Sequence, residues 1–312
     1  MRVICAPDKF RGTLTAREAA AAIAGGARRA GWDAVELPLA DGGEGTLDVL
    51  GGPNRTAAVT GPLGEPVEAE WRLEDGVAWI EAARACGLTL AGGAERNDPL
   101  RATSRGVGEL IAAAAAAGAE RVVVAVGGVA STDGGAGAVE ALSSRLPVAV
   151  EVACDVDARF LDAADVFAPQ KGATPEQVEL LRERLAVLDV PDVSGAGAAG
   201  GLAGGLAALG ATLVRGFDLI AERRGLDERL AESELVITGE GLLDATSLTG
   251  KVVGGVLDRA SRAGVRALVV AGDVVTNLPV NSVSLVALCG RDRAFAEPAI
   301  CLAEVVEEEL TT

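Results

Sequence analysis

Val3-Ile4-Cys5-Ala6-Pro7-Asp8-Lys9-Phe10-Arg11-Gly12-Thr13 is the stretch on which the reading of this chain turns. Residues 3–6 form a short apolar run of the kind that makes a buried strand, and 13–30 carries the apolar spacing of a helix, so Asp8, Lys9 and Arg11 fall between the two. In an open α/β sheet that position is the carboxyl edge, where ligands bind. A second loop of the same construction, Pro38-Leu39-Ala40-Asp41-Gly42-Gly43-Glu44-Gly45-Thr46, follows the apolar run at 34–37 and leads into a helix near Glu44. Asp8 and Asp41 therefore end two neighbouring strands and face one crevice.

The far end of the chain repeats this rhythm. Strands are predicted at 235–238, 266–271 and 283–288, with helices at 246–263 and 294–310. Two strands from the start and three from the end make a five-stranded parallel sheet. Between them the pattern changes, because 67–73 and 77–81 flank Glu74-Asp75-Gly76 and read as an antiparallel hairpin. The fold class is therefore α/β with two domains: a discontinuous flavodoxin- or Rossmann-like parallel-sheet domain, 1–57 and 215–312, and an inserted mixed-sheet α/β domain, 58–214. Residues 112–117, all alanine, read as the middle of a helix.

With 312 residues, 49% hydrophobic and 23% charged, the chain has the balance of a globular protein too large for one ordinary core. No apolar stretch nears the 18 residues of a membrane span, and the start lacks the layout of a signal peptide, so a cytoplasmic protein is expected. The five cysteines are widely spaced, without a CxxC pair, and read as reduced. A formal charge of −17 and the absence of tyrosine argue against nucleic acid as a partner. A membrane partner is not expected either, whereas a homodimer is compatible with the sequence. No histidine is present, which excludes His-based dyads and triads, so any acid or base is a carboxylate or a lysine. The three lysines, Lys9, Lys171 and Lys251, stand out beside 25 arginines, as if a compact ammonium were kept for an anionic substrate. Codon usage favouring arginine would produce the same imbalance.

Gly127-Gly128-Val129-Ala130-Ser131-Thr132-Asp133-Gly134-Gly135 follows a predicted strand at 121–126 and opens into a helix at 136–142. Its backbone N–H groups and the hydroxyls of Ser131 and Thr132 form a candidate phosphate cradle, although a tight strand-to-helix turn would read the same. No Walker A motif is present, since Gly250-Lys251 is followed by Val252 and Ala245 stands where the first glycine would be. Gly195-Ala196-Gly197-Ala198-Ala199-Gly200 spells GxGxxG, but Pro191 and the polar residues before it are unlike the strand that a dinucleotide fingerprint requires. Phosphoryl transfer needs a divalent ion, an aligner for the attacking hydroxyl and positive charge. Asp8 and Asp41 suit alignment or metal binding. Lys9 and Arg11 suit the substrate carboxylate or the transferring phosphoryl group, with Lys171 and Lys251 approaching from the two domains. Asp155 and Glu240 are further loop carboxylates, Asp155 with Asp41 as metal ligands and Glu240 on the nucleotide side. Glu44 reads equally well as the first-turn acid of a helix.

These loops resemble the signature of the bacterial glycerate kinases of the first type. The likeness continues in order through Val59-Thr60-Gly61-Pro62-Leu63-Gly64, Arg101-Ala102-Thr103-Ser104, Thr132-Asp133-Gly134-Gly135-Ala136-Gly137, Cys154-Asp155-Val156-Asp157, Pro169-Gln170-Lys171-Gly172-Ala173, Gly195 to Gly201, and Thr238-Gly239-Glu240-Gly241 with Asp244 and Gly250-Lys251. The resemblance implies two domains with an active site in the cleft between them, and ATP- and Mg²⁺-dependent phosphorylation of D-glycerate to 2-phosphoglycerate. The chain departs from the family at Val129, where a serine is usual, at Arg105, where an aromatic residue is usual, and at Asp157-Ala158-Arg159. Ser143-Ser144-Arg145-Leu146-Pro147 also replaces a segment of several dozen residues. Val129 removes a potential hydroxyl donor from the cradle, which raises the alternative of a catalytically weakened binding or sensor protein. An NAD-dependent hydroxyacid dehydrogenase is suggested by the GxGxxG spelling alone.

Overall fold

The computed structural model describes residues 1–275 and 278–311. They form two compact units, the first made of Met1–Asp41, Asp48–Leu50 and Phe217–Thr312, the second of Gly42–Leu47 and Gly51–Gly216.

The first unit is built on five parallel strands, Arg2–Cys5, Asp33–Glu36, Leu235–Thr238, Arg266–Ala271 and Ser282–Ser284. Numbered within the unit their spatial order is 2-1-3-4-5, the flavodoxin-like arrangement. The helix Ala16–Arg29 starts three residues later than its apolar spacing predicts, because Thr15 and Glu18 form a reciprocal capping box there. Its buried face, Ala19, Ile23, Ala24 and Ala27, packs with Trp32 and with Leu302 and Val306 of the final helix Pro298–Thr311.

Three predicted elements differ from what forms. The strand expected at 283–288 ends at Ser284, whose hydroxyl accepts the Ala287 N–H and starts the helix Leu285–Cys289. The helix expected at 294–310 is two, Arg291–Ala296 and Pro298–Thr311, since Pro298 has no N–H for a helix interior and serves as a first residue instead. The helix expected from 246 begins at Val252, preceded by a 3₁₀ turn at Ala245–Leu248 that Asp244 caps.

The second unit holds a six-stranded sheet in sequential order: Arg55–Thr60, Pro66–Glu74, Val77–Glu81, Arg121–Ala125, Ala149–Ala153 and Thr212–Val214. The first two pairings are antiparallel and the rest parallel. Asp75 and Gly76 both have positive φ, 51° and 75°, as a two-residue hairpin turn of the expected kind requires. The helix Arg105–Ala116 covers one face of this sheet, with Val107, Leu110, Ile111 and Ala114 in its core. The short link after the helix Ala136–Ala141 turns through Ser143 and Ser144, both in left-handed conformation. Among the described residues no helix is long and apolar enough to cross a membrane.

The contact between the first and last long helices of unit one depends on Gly26. A Cβ there would lie 2.2 Å from the Ala303 carbonyl oxygen and 3.1 Å from Val306. Gly26→Ala should therefore destabilise the protein by about 1–3 kcal/mol despite alanine's better helix propensity. Chemical denaturation measures this, and a stabilised variant would show that the two helices separate without cost.

Candidate active site

Two groups of site residues form, one in each unit. In the first unit Asp8, Asp41 and Glu240 follow three adjacent strands, Arg2–Cys5, Asp33–Glu36 and Leu235–Thr238, at their carboxyl ends. Strands one and three are where the order reverses, the switch point at which open α/β sheets bind ligands. Pairing continues past the strands: Ala6 N–H donates to Ile237 O at 2.8 Å, Asp8 N–H to Gly239 O at 2.9 Å and Leu39 N–H to Pro7 O at 3.0 Å. The Asp8 carboxylate accepts the Lys9 N–H at 2.7 Å. Burial pushes Asp8 well above the usual carboxylate range, the charge of Asp41 adds to this and that of Glu240 adds less, while Lys9 opposes it. Glu240 is raised likewise, by burial first, with a hydrogen bond from Ser247 and the charge of Lys251 opposing and Asp244 and Asp41 adding. Its Oε1 is buried without a hydrogen-bond partner. Asp244 is a cap rather than a member of this group: its Oδ1 accepts from Thr246 N, Thr246 Oγ1 and Ser247 N. Lys251 stands at the start of the helix Val252–Ala263 and donates to Thr246 Oγ1 at 3.1 Å, and Arg11 is exposed.

In the second unit the loop 127–135 leaves the strand Arg121–Ala125. Ser131 and Thr132 are buried, and both hydroxyls lack a hydrogen-bond partner. Beside them Lys171, on the 3₁₀ turn Pro169–Lys171, is only 4% exposed, and its ammonium donates to Ser131 O at 2.5 Å. Burial lowers Lys171 to about 8, while Cys86 and Asp133, the titratable groups facing it, push the other way. Gly200 closes over the group, since a Cβ there would lie 2.3 Å from Ser131 O and 2.9 Å from Lys171 Nζ. The segment 43–47 of the second charged loop packs on the same cradle: a Cβ on Gly128 would meet Glu44 Oε1 at 2.1 Å.

Several sequence expectations change here. Asp133, expected to contact a nucleotide, is a brace: Oδ2 accepts from Ser104 N, Ser104 Oγ and Gly137 N, and Oδ1 from Gly135 N. Val129 is 3% exposed and packs in the core that includes Cys86 and Val126. Arg105 pairs with Glu109 and Glu140. The residues before Gly195 form no strand, and Gly195 to Gly201 are turns whose glycines pack on Cys154, Ser131 and Phe160, so the GxGxxG spelling is not a dinucleotide fingerprint. Asp155 accepts the Gly216 N–H at 3.0 Å within the second unit, and Asp41 belongs to the first.

Two residues escape sequence reasoning. Glu81 is 3% exposed; it accepts from Gly45 N at 3.0 Å and Leu47 N at 2.8 Å and pairs with Arg84, fixing the segment that carries Glu44. An acid ending the apolar strand Val77–Glu81 was its only signal. Asn97 donates to two backbone carbonyls at the cradle, and Asn97-Asp98-Pro99 reads in sequence as an ordinary turn.

Among the described residues no group of three or more His, Cys, Asp or Glu side chains is placed to hold a metal ion. Mg²⁺ does not require one, because it keeps waters and takes one or two carboxylates plus substrate phosphate. The buried, unpartnered Glu240 Oε1 is a single carboxylate oxygen of the kind such an ion takes.

A two-unit α/β fold with acids at a parallel-sheet switch point defines the class: a ligand-binding enzyme fold of the doubly wound type. The sequence matches the glycerate kinase family over residues 3–148 and 143–289. The glycerate 2-kinase of Escherichia coli K12 is 38% identical over 334 residues, covering 90% of this chain and 87% of its own. The glycerate kinase of Bacillus subtilis 168 is 39% identical, covering 88% and 85%. A solved chain assigned as glycerate kinase 2 from Salmonella typhimurium LT2 superposes with a TM-score of 0.83 at 33% identity, covering 99% and 97%. The chain belongs to the glycerate kinase family.

The buried Lys171 makes a stability prediction. Below pH 8 both native and unfolded chains carry its ammonium, and the native state bears the full cost of burying it. Between 8 and 10.5 the unfolded chain holds a proton the native chain lacks, so this contribution to stability rises with pH across that window. Lys171→Met should accordingly stabilise the protein at pH 7 by about 1–3 kcal/mol and less at pH 10. Denaturant melts at the two values check this, and a loss of stability at pH 7 would refute it.

Proposed function

We propose that the protein transfers the γ-phosphoryl group of ATP to D-glycerate and releases 2-phosphoglycerate and ADP. The carrying observation is the group Asp8, Asp41 and Glu240, with Lys9 and Lys251, at the switch point of a chain in the glycerate kinase family. The names of the relatives, glycerate kinase and glycerate 2-kinase, support the substrate and the product.

On this reading Asp8 aligns the attacking hydroxyl. Its proton passes to the carboxylate as the new O–P bond forms, the bond from the γ-phosphorus to the bridging oxygen breaks, and ADP leaves with that electron pair. A carboxylate raised by burial and by Asp41 is a better proton acceptor than an ordinary aspartate. Asp41 is the residue assigned to Mg²⁺, with Glu240 beside it. When bound, the ion neutralises charge on the phosphoryl oxygens. Lys9 and Arg11 hold the glycerate carboxylate or the moving phosphoryl group, and Lys251 adds charge from the helix Val252–Ala263. The glycine loop with Ser131, Thr132 and Lys171 offers its donors to phosphate oxygens. Five free thiols agree with a cytoplasmic setting.

A coupled ADP-release assay with ATP, Mg²⁺ and a panel of hydroxyacids tests the proposal, with the product read by ³¹P NMR. Turnover should depend on glycerate, give the 2-phosphate and fall by about 100-fold or more in Asp41→Asn. Turnover on another acid, or an Asp41→Asn variant with unchanged kcat, would overturn it.

A further inference from the structure

Asn97 belongs to none of the charged or glycine-rich loops of the sequence, yet its side chain joins the two segments that carry the second unit's site. Its Nδ2 donates both protons, one to Ala130 O at 3.2 Å and one to Lys171 O at 2.9 Å. Ala130 directly precedes Ser131 and Thr132 on the glycine loop, and Lys171 ends the 3₁₀ turn Pro169–Lys171. A second link runs the other way, from Lys171 Nζ to Ser131 O. The loop and the turn are thus tied twice, once through the main chain of Lys171 and once through its ammonium. Asn97 is itself fixed, since its N–H donates to Gly93 O at 3.0 Å. Two carbonyls facing one side-chain group also settle its identity. An amide NH₂ satisfies both, whereas an aspartate carboxylate there would be repelled by both.

We infer that Asn97 is a positioning residue, which holds the Ser131–Thr132 segment and the Lys171 turn together so that two hydroxyls and one ammonium form a single anion-directed group. The inference rests on the reading of that group as part of the phosphoryl-transfer site. It differs from ordinary loop bracing because the tie keeps Lys171 away from water. Gly200 covers the ammonium from one side, and Asp133 and Cys86 are the titratable groups that face it. Without the tie the turn is free to withdraw, and the ammonium regains solvent.

The chain has only three lysines, so selective ¹³Cε-lysine labelling gives three resolvable NMR signals, with Lys171→Met identifying one. In the wild-type protein the Lys171 signal should titrate near 8. Asn97→Ala should move that midpoint upward toward 10.5. The same variant should lower kcat by about tenfold or more, as expected for a misplaced site group. If Asn97→Ala does not fold, Asn97→Gln, which keeps the NH₂ but displaces it, replaces it with the same expected sense. A folded variant whose Lys171 midpoint is unchanged overturns the inference, whatever its activity. A shifted midpoint in a protein without glycerate-dependent turnover upholds the positioning role and removes the kinase reading.

Discussion

The close approach of backbone at the carboxyl edge of the first unit's sheet is the constraint on which its site depends. Asp8, Asp41 and Glu240 can share a region only if the chain leaves three neighbouring strands with almost no side-chain volume between the exits. Gly239 and Gly241 provide this. A Cβ on Gly239 would lie 1.9 Å from Val270 O, and one on Gly241 would lie 2.9 Å from Arg11 N. The first distance leaves no room for any side chain, so the Gly-Glu-Gly spelling around Glu240 follows from packing before any chemistry is considered. The acids themselves then oppose one another, and like charges brought together in a partly buried place raise one another's pKa. That arrangement is unfavourable for folding and becomes favourable only when a cation or a proton donor joins it.

The second unit solves the converse problem. It buries an ammonium, Lys171, and two hydroxyls without supplying a carboxylate partner in hydrogen-bond contact. The one nearby acid, Asp133, has its oxygens occupied by Ser104, Gly135 and Gly137. Its charge still acts on Lys171 through space, but its lone pairs are spent on the loop. Partly buried acids that raise one another in the first unit and buried, unpartnered hydroxyls in the second are two separate costs to folding. Stability is given up at both places, as is usual where a site is built in advance of its ligand.

The strand ends and their charged loops were legible because they rest on local signals: an apolar run, a glycine, a charge. Asp8, Asp41 and Glu240 stand where strand counting puts them, and the Asp75-Gly76 hairpin follows from turn chemistry alone. Errors arose where a single residue overrules a periodic pattern. Ser284 caps a helix inside what reads as a strand, and Pro298 divides what reads as one helix. Val129 stands inside a loop motif, yet its side chain is in the core and its backbone bridges to Gly87, a placement that motif spelling does not carry. Glu81 and Asn97 were not legible, because their backbone partners lie 33 to 74 residues away. No pattern within a sequence window marks a side chain that serves distant carbonyls or amides.

The imbalance of three lysines against 25 arginines allowed two explanations, selection for a compact ammonium or codon drift. For position 171 the structure separates them. The Nζ lies under Gly200, where even a methyl group would come within 2.9 Å, so a planar guanidinium has no room there. A guanidinium also carries five N–H donors, and the one carbonyl met by Lys171 Nζ would leave most of them buried and unpaired. Arginine is excluded at 171 by volume and by hydrogen-bond count, independently of any ligand. Lys251 is subject to neither limit, since its ammonium donates to an exposed threonine hydroxyl. Packing and hydrogen-bond count therefore account for the lysine at 171 and not for the lysine at 251.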